Sequence, residues 1–261
     1  MGMRLRGEIC ISAASVLSAV ALVLLIFMHV GQINTSTVPR NIEMIQVNMT
    51  SFAQGVAAAI SPDPVDGLFT DNASAPLQQR QGVRNIYKFG LYSYCAYVNG
   101  SAGLCSNSSA GFRFEPFDLI TADMQANYSG IATGIIVNTT FNDSHYLGQF
   151  SNGAYYVLLI GTICTALALI TGILKHTFGF LVSTLFAIAG SLMLLIGATI
   201  WTVVIKKAQT VNDIFVGPQA SPVPLGIEVT IGNALYLAWA GFGCLVASTI
   251  PYMISCCTYR G

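Results

Sequence analysis

Three sets of residues in this chain carry side chains that could undergo chemistry, and they fall in separate places. Eight Asn-x-Ser/Thr sequons, at Asn34, Asn48, Asn72, Asn99, Asn107, Asn127, Asn138 and Asn142, offer amide nitrogens for N-linked glycosylation. With Ser and Thr at about 15% of residues, about two of the thirteen asparagines would open a sequon by chance. Cys95 and Cys105 are the only cysteines in the same stretch, and an oxidising compartment favours a disulfide between them over two free thiols. Their nine-residue spacer fits no usual zinc-ligand spacing, and no nearby His completes a site. Cys256 and Cys257 adjoin near the tail, where reversible palmitoylation competes with a plain pair of membrane-edge cysteines.

Catalytic patterns are missing from the sequence. There is no Gly-x-Ser-x-Gly elbow, no metal-binding His pair and no phosphate loop. Asp143-Ser144-His145 contains triad residue types, but consecutive residues cannot converge as orienter, nucleophile and base, and Ser144 completes the Asn142 sequon. Glu115 and Asp118 read as exposed loop charges or hydrogen-bond acceptors before they read as an acid/base couple. No catalytic residue, metal site or cofactor is therefore expected, and the chain does not read as an enzyme. A formal net charge of zero and the lack of a basic run interleaved with aromatics exclude nucleic acid as a partner.

The elements that position these residues are membrane spans. Charged residues make up 8% of the chain, against about 25% in soluble domains, and mean hydropathy is +0.64. Four apolar stretches reach the roughly 20 residues that a helix needs to cross the hydrocarbon core. The expected plan is a cytoplasmic N-terminus (1–8), a first span (9–30), an extracellular domain (31–153), a second span (154–174), a cytoplasmic turn (175–177), a third span (178–205), a second extracellular loop (206–232), a fourth span (233–255) and a cytoplasmic tail (256–261). All eight sequons fall in 31–153, as glycosylation in the secretory lumen requires. Acceptors are expected at Asn48, Asn72, Asn99, Asn107, Asn127 and Asn138, with occupancy centred on Asn48, Asn72, Asn107 and Asn127. Arg4, Arg6, Lys175, His176 and Arg260 fall on the cytoplasmic side of this plan, and Lys206 with Lys207 dissent. The first run could also be read as a cleaved signal peptide, but it is too long for a signal h-region and His29-Val30-Gly31 is a poor cleavage site.

No ionisable residue lies near the centre of a span, which argues against a pump or coupled transporter, although a passive pore lined by backbone or hydroxyls stays open. Small residues recur at four-residue steps instead: Ser15 and Ala19; Cys164, Ala168 and Gly172; Ser183, Ala187 and Ser191; Ala240, Cys244 and Ser248. Such stripes allow close helix contact, though membrane helices are rich in small residues in any case. Cys10, Cys164 and Cys244 read as small apolar helix residues.

In the long outer segment, apolar spacing at Ile42, Ile45, Met49, Phe52 and Val56 predicts a helix over 42–60, stopped by Ser61-Pro62-Asp63-Pro64. Pro62 to Gln81 reads as loop. Ile86 to Val98 is aromatic and β-favouring, Asn99-Gly100 signals a turn, and Leu104-Cys105 begins the return strand of a hairpin. Glu228-Val229-Thr230-Ile231 could add a strand to that sheet.

The run Phe89-Gly90-Leu91-Tyr92-Ser93-Tyr94-Cys95, followed by Asn99-Gly100, Cys105-Ser106 and Phe112-Arg113-Phe114-Glu115-Pro116, resembles the outer-loop motif of the fungal Sur/PalI family. Gly90, Leu91, Tyr92, Cys95 and Cys105 carry the resemblance, and the same order is similar to the claudins, with Tyr92 where their pattern has Trp. It implies a mainly α membrane protein: a claudin-like four-helix transmembrane bundle with a small disulfide-pinned extracellular β-sheet and helix. It further implies a multi-pass plasma-membrane protein, both termini cytoplasmic, that organises eisosome-like cortical patches and supports cell-surface and wall organisation. An accessory subunit stabilising an ambient-pH signalling receptor, or a calcium-influx regulator or pore, is the alternative. Implied partners are membrane lipids and either further copies of the chain or other membrane-domain proteins. Family members often carry a long cytoplasmic tail, whereas few residues follow Ser255 here.

Overall fold

A computed structural model describes residues 2–60, 65–99, 102–137, 139–173 and 177–258. In chain order it contains α1 (Gly2–Val30), the single turn α2 (Thr37–Arg40), β1 (Ile45–Asn48), α3 (Phe52–Ile60), β2 (Ile86–Phe89), β3 (Tyr94–Val98) and β4 (Ala102–Cys105). There follow α4 (Pro116–Asp123), α5 (Ala126–Ile135), the long α6 (Ser144–Ile173) and α7 (Thr177–Ala208), short strands β5 (Phe215–Val216) and β6 (Val223–Pro224), β7 (Glu228–Ile231) and α8 (Asn233–Thr258). The chain divides into two compact units, one of residues 1–29, 153–200 and 235–261, the other of 30–152 and 201–234.

The first unit is a bundle. Among the described residues four helices are long and apolar enough to cross a membrane, with spans at Cys10–Val30, Ser144–Ile173, Phe178–Asp213 and Asn233–Met253. Its polarity is inverted relative to a water-soluble core. Large apolar side chains such as Val16, Leu185 and Ile250 are about 60% exposed, while many of the residues between helices are small or hydroxylic (Ala14, Ser18, Thr165, Ala168, Ser183, Ala187 and Ser248), set among a few large ones such as Leu25, Leu158 and Leu194. Lipid is as apolar as leucine, so burying leucine inside the bundle gains little, and close backbone approach decides the packing. The Ser183 hydroxyl donates to the Ala168 carbonyl across α7 and α6 at 2.6 Å, and Ser18 donates to the Tyr252 hydroxyl across α1 and α8 at 3.3 Å. Gly161, Gly190, Gly197 and Gly241 sit where a methyl group would press on Leu194, Cys164, Leu158 and Leu25 of the neighbouring helices.

The small-residue stripes are borne out in part. Ser183, Ala187, Ser191, Ala168 and Gly172 face inward, but α1 buries Ala14, Ser18, Ala21 and Leu25 instead of Ser15 and Ala19. On α8, Ser248 is buried, Cys244 is half-buried and Ala240 is exposed. A helix turns 3.6 residues per revolution, so steps of four drift off a face by about 40° each.

The second unit is built on a five-stranded antiparallel sheet of order β4-β3-β2-β1-β7. Ile45 and Val47 of β1, Tyr87 and Phe89 of β2, Tyr94 and Ala96 of β3 and Val229 of β7 point to one buried face. There Phe89 stacks on Tyr94 at 5.5 Å between ring centroids and meets Phe114 edge-on at 4.9 Å. The segment Glu228–Ile231 joins the sheet as β7, against β1, and β5 pairs with β6 as a separate ribbon. Cys95 and Cys105 are directly opposite across β3 and β4 and are joined by a disulfide.

Two expectations fail here. Residues 42–60 do not form one helix, because Ile45–Asn48 becomes a central strand and only Phe52–Ile60 is helical. Ile45 and Val47 suit a strand as well as a helix, and pairing on both edges with β2 and β7 decides between them. Nor is Ile86–Val98 one strand: it breaks at Gly90–Ser93, whose Gly90 N–H donates to the Ser93 carbonyl at 2.9 Å, so the sheet gains an extra hairpin. The Asn99 turn is present, with φ +48°, a conformation Asn tolerates. Lys175 and His176 lie outside the described residues.

Packing at the glycines predicts opposite results for two substitutions. Gly197→Val places a side chain within 2.6 Å of Leu158 Cγ and should lower the unfolding midpoint of detergent-solubilised protein, by about 1–3 kcal/mol in stability. Gly243→Val meets nothing within 4 Å and should leave the midpoint within about 0.5 kcal/mol.

Candidate functional site

The motif residues converge on the two residues that follow α1. Gly90 packs so closely on Gly31 that a side chain there would overlap the Gly31 carbonyl and come within 3.0 Å of Gln32 Cβ. Gln32 is buried at φ +57°. The Gln32 amide meets the carbonyls at the end of the single turn α2: the two N–H groups of Nε2 are shared among Pro39 O at 3.0 Å, Arg40 O at 2.9 Å and Ile42 O at 3.1 Å. Its Oε1 accepts from the Tyr97 hydroxyl at 3.1 Å, and its backbone carbonyl accepts from Ser93 Oγ at 2.6 Å and touches Cys95 Sγ at 3.2 Å. The β2–β3 turn, the disulfide and β3 therefore hold one glutamine from three sides. Leu91 is buried, and the Tyr92 carbonyl accepts from Ser109 N at 2.8 Å, which ties the turn to the segment after β4. Tyr92 lies in that turn, not on a strand as the β-favouring run Ile86 to Val98 suggested. Burial pushes the Tyr94 and Tyr97 phenols up to about 12.

A buried ion pair fixes the other side of the sheet. Arg84 Nη1 lies 3.2 Å from Asp123 Oδ2, with side-chain exposures of 0% and 1%. The Tyr87 hydroxyl donates to the same oxygen at 2.7 Å, the Gln78 N–H donates to Oδ1 at 2.5 Å, and Arg84 Nη2 donates to the Ala75 carbonyl. Arg80 N and Gly82 N donate to the Ala122 and Asp123 carbonyls that end α4. The long loop before β2 is thus held in place by α4. Burial raises the Asp123 carboxyl above its ordinary value even though Tyr87, Gln78 and Arg84 all pull it down, and burial with the Asp123 charge raises Tyr87 further. A second ion pair, Lys88 Nζ to Glu43 Oε2 at 3.2 Å, lies beside Arg40, whose guanidinium stands 4.9 Å over the Tyr97 ring.

Asp143 proves to be a helix cap: its Oδ1 accepts from Tyr146 N at 2.9 Å, so α6 starts at Ser144, ahead of the span expected over 154–174. His145 bonds Gln149 at 3.0 Å, one turn along that helix. Glu115 precedes Pro116 at the start of α4 and lies 4.0 Å from Arg113, while Asp118 is exposed in the first turn. Asn72, Asn99, Asn107 and Asn127 are exposed, Asn48 is half-buried at the end of β1, and Asn138 lies outside the described residues. Asn142 Nδ2 donates to the Ile136 carbonyl at 3.0 Å. The backbone of Cys256 and Cys257 continues α8. Lys206 and Lys207, which break the charge plan, sit in the last turn of α7, where the helix dipole favours cations. Among the described residues no group of three His, Cys, Asp or Glu could hold a metal ion.

Sequence reasoning missed Gln32, Arg84 and Asp123. Charge in a chain this poor in it was the available signal for the pair, but nothing local joins residues 84 and 123. Gln32 carried no signal beyond its place after an apolar run.

Two measurements probe this site. Asp123→Ala strands a buried guanidinium and should cost about 3–5 kcal/mol, whereas the double change Arg84→Met with Asp123→Leu should be less harmful than the single one, read as unfolding midpoints of purified protein. Cys95→Ser should lower stability by about 2 to 3 kcal/mol on the chain-entropy argument and retain the protein in the endoplasmic reticulum, read by surface labelling.

A family model described as the SUR7/PalI family matches residues 10–251. No curated protein matched the chain. The matched span runs from within α1 to within α8, takes in all or most of each of the four apolar spans, and contains the motif turn, the disulfide and every strand of the sheet, and on that extent the chain belongs to the SUR7/PalI family.

Proposed function

We propose that this protein is a non-enzymatic organiser of plasma-membrane domains, of the eisosome-like cortical-patch kind, that supports cell-surface and wall organisation in a fungus. In this proposal residues 31–153 and 206–232 face the outside, both termini are cytoplasmic, glycans occupy the outer sequons, and Cys256 and Cys257 are palmitoylated. The observation that carries it is an outward-facing row of small residues on α8. Ala240, Gly243 and Ala247 are exposed and Cys244 is half-buried, on a helix whose other face buries Ala238, Gly241, Leu245 and Ser248. One face packs within the bundle, and the other offers a neighbour in the bilayer the same close approach. Family membership and the use of the buried polar groups in internal hydrogen bonds support the same reading.

Gly243→Leu adds bulk where nothing lies within 4 Å, so it should leave expression intact and disperse fluorescently tagged cortical patches. Blue-native electrophoresis of the unmodified chain should show assemblies. A strictly monomeric, uniformly diffusing protein, with a lost alkaline-pH response on deletion, would replace this reading with that of a receptor accessory. Topology has its own check: glycosidase treatment of protein from its native secretory route should sharpen and lower the band, and an unchanged band would refute the outside placement of 31–153.

A further inference from the structure

We propose that the first N-acetylglucosamine of a glycan on Asn48 seats in a cleft of the same chain and braces β1, the start of α3 and the segment between β6 and β7. The inference rests on the outside placement of this region given above. Asn48 ends β1 directly opposite Glu228 of β7, so the two side chains leave the sheet on the same face. Thr50 donates to Asn48 Oδ1 twice, from its N–H at 3.0 Å and its hydroxyl at 2.6 Å. That fixes the amide plane and turns Nδ2, the atom that carries the sugar, away from Thr50. Beside it opens a cleft of about 340 Å³ lined by Asn48, Ser51, Gln54, Pro224, Ile227 and Glu228, a volume at the small end of ligand sites.

The walls match a pyranose. Pro224, which is exposed, and half-buried Val223 present apolar surface to its C–H face, and Gln54 and Glu228 are exposed side chains able to bond its hydroxyls and acetamido group. The cleft is also preformed, which lowers the ordering cost of filling it. Asn212 clamps β7 from both directions, donating to the Val229 carbonyl at 3.1 Å and accepting from Val229 N at 2.7 Å. Gly226, at φ +82°, lies against the Ser51 carbonyl with no room for a side chain. Attachment joins Nδ2 to the anomeric carbon of a lipid-pyrophosphate-linked oligosaccharide, with loss of one amide proton and departure of the lipid pyrophosphate.

The test uses the full chain made in a secretory host, with native peptide-N-glycosidase digestion followed site by site by mass spectrometry. Release at Asn48 should be about tenfold slower than at Asn72, the worth of one or two hydrogen bonds. Gln54→Ala combined with Glu228→Ala keeps the Asn48-Met49-Thr50 sequon and should bring the two rates together. Equal rates in the unmodified chain, slow release that the paired change does not alter, or a bare Asn48 beside occupied sequons would each overturn the seat while the topology stands. Sugar at no sequon would overturn both. Binding of free diacetylchitobiose by Asn48→Gln protein that is lost on adding the Gln54→Ala, Glu228→Ala change would support the seat.

Discussion

A single buried amide organises the sheet-bearing unit. Gln32 follows α1 by two residues, and every polar atom of its side chain is engaged: the nitrogen with three carbonyls of the segment 39–42, the oxygen with Tyr97. An amide buried without partners would cost several kcal/mol, so the site tolerates only the arrangement that satisfies all of them at once. That demand explains the run Gly90 to Cys95 in physical terms. Gly90 is needed because the β2–β3 turn lies against the Gly31 carbonyl, Ser93 because its hydroxyl reaches the Gln32 carbonyl, and Cys95 because the disulfide holds β3 and β4 where Tyr97 can meet Oε1.

The bundle obeys a different rule. Where water drives a soluble fold by hiding large apolar groups, these helices expose such groups and bring small ones together. Hydroxyls follow the same economy of partners: Thr165 and Thr184 donate back to carbonyls one turn earlier, and Ser183 reaches a neighbouring helix.

Among the described residues the ion pairs lie in the second unit, and the buried one is used there to pin a loop. Asp123 closes α4 and receives Arg84, Tyr87 and Gln78, so a loop without regular structure is held by one carboxylate. Breaking such a buried pair leaves an uncompensated charge, which is why the pair constrains conformation more than it adds stability.

The amino-acid sequence alone determined the four apolar spans, the sequon cluster, the cysteine pair, the turn at Asn99 and the final strand Glu228–Ile231, because these depend on local composition, on spacing, or on the chemistry of a compartment. Only the tertiary structure decided that Ile45–Asn48 is a strand, since its apolar pattern serves either a helix or a strand and the choice comes from pairing on both edges with segments more than thirty residues away. The same holds for which small residues face inward, where a four-residue step drifts off the true 3.6-residue face, and for Gln32, Arg84 and Asp123, whose partners are distant in sequence and meet only once the sheet has closed.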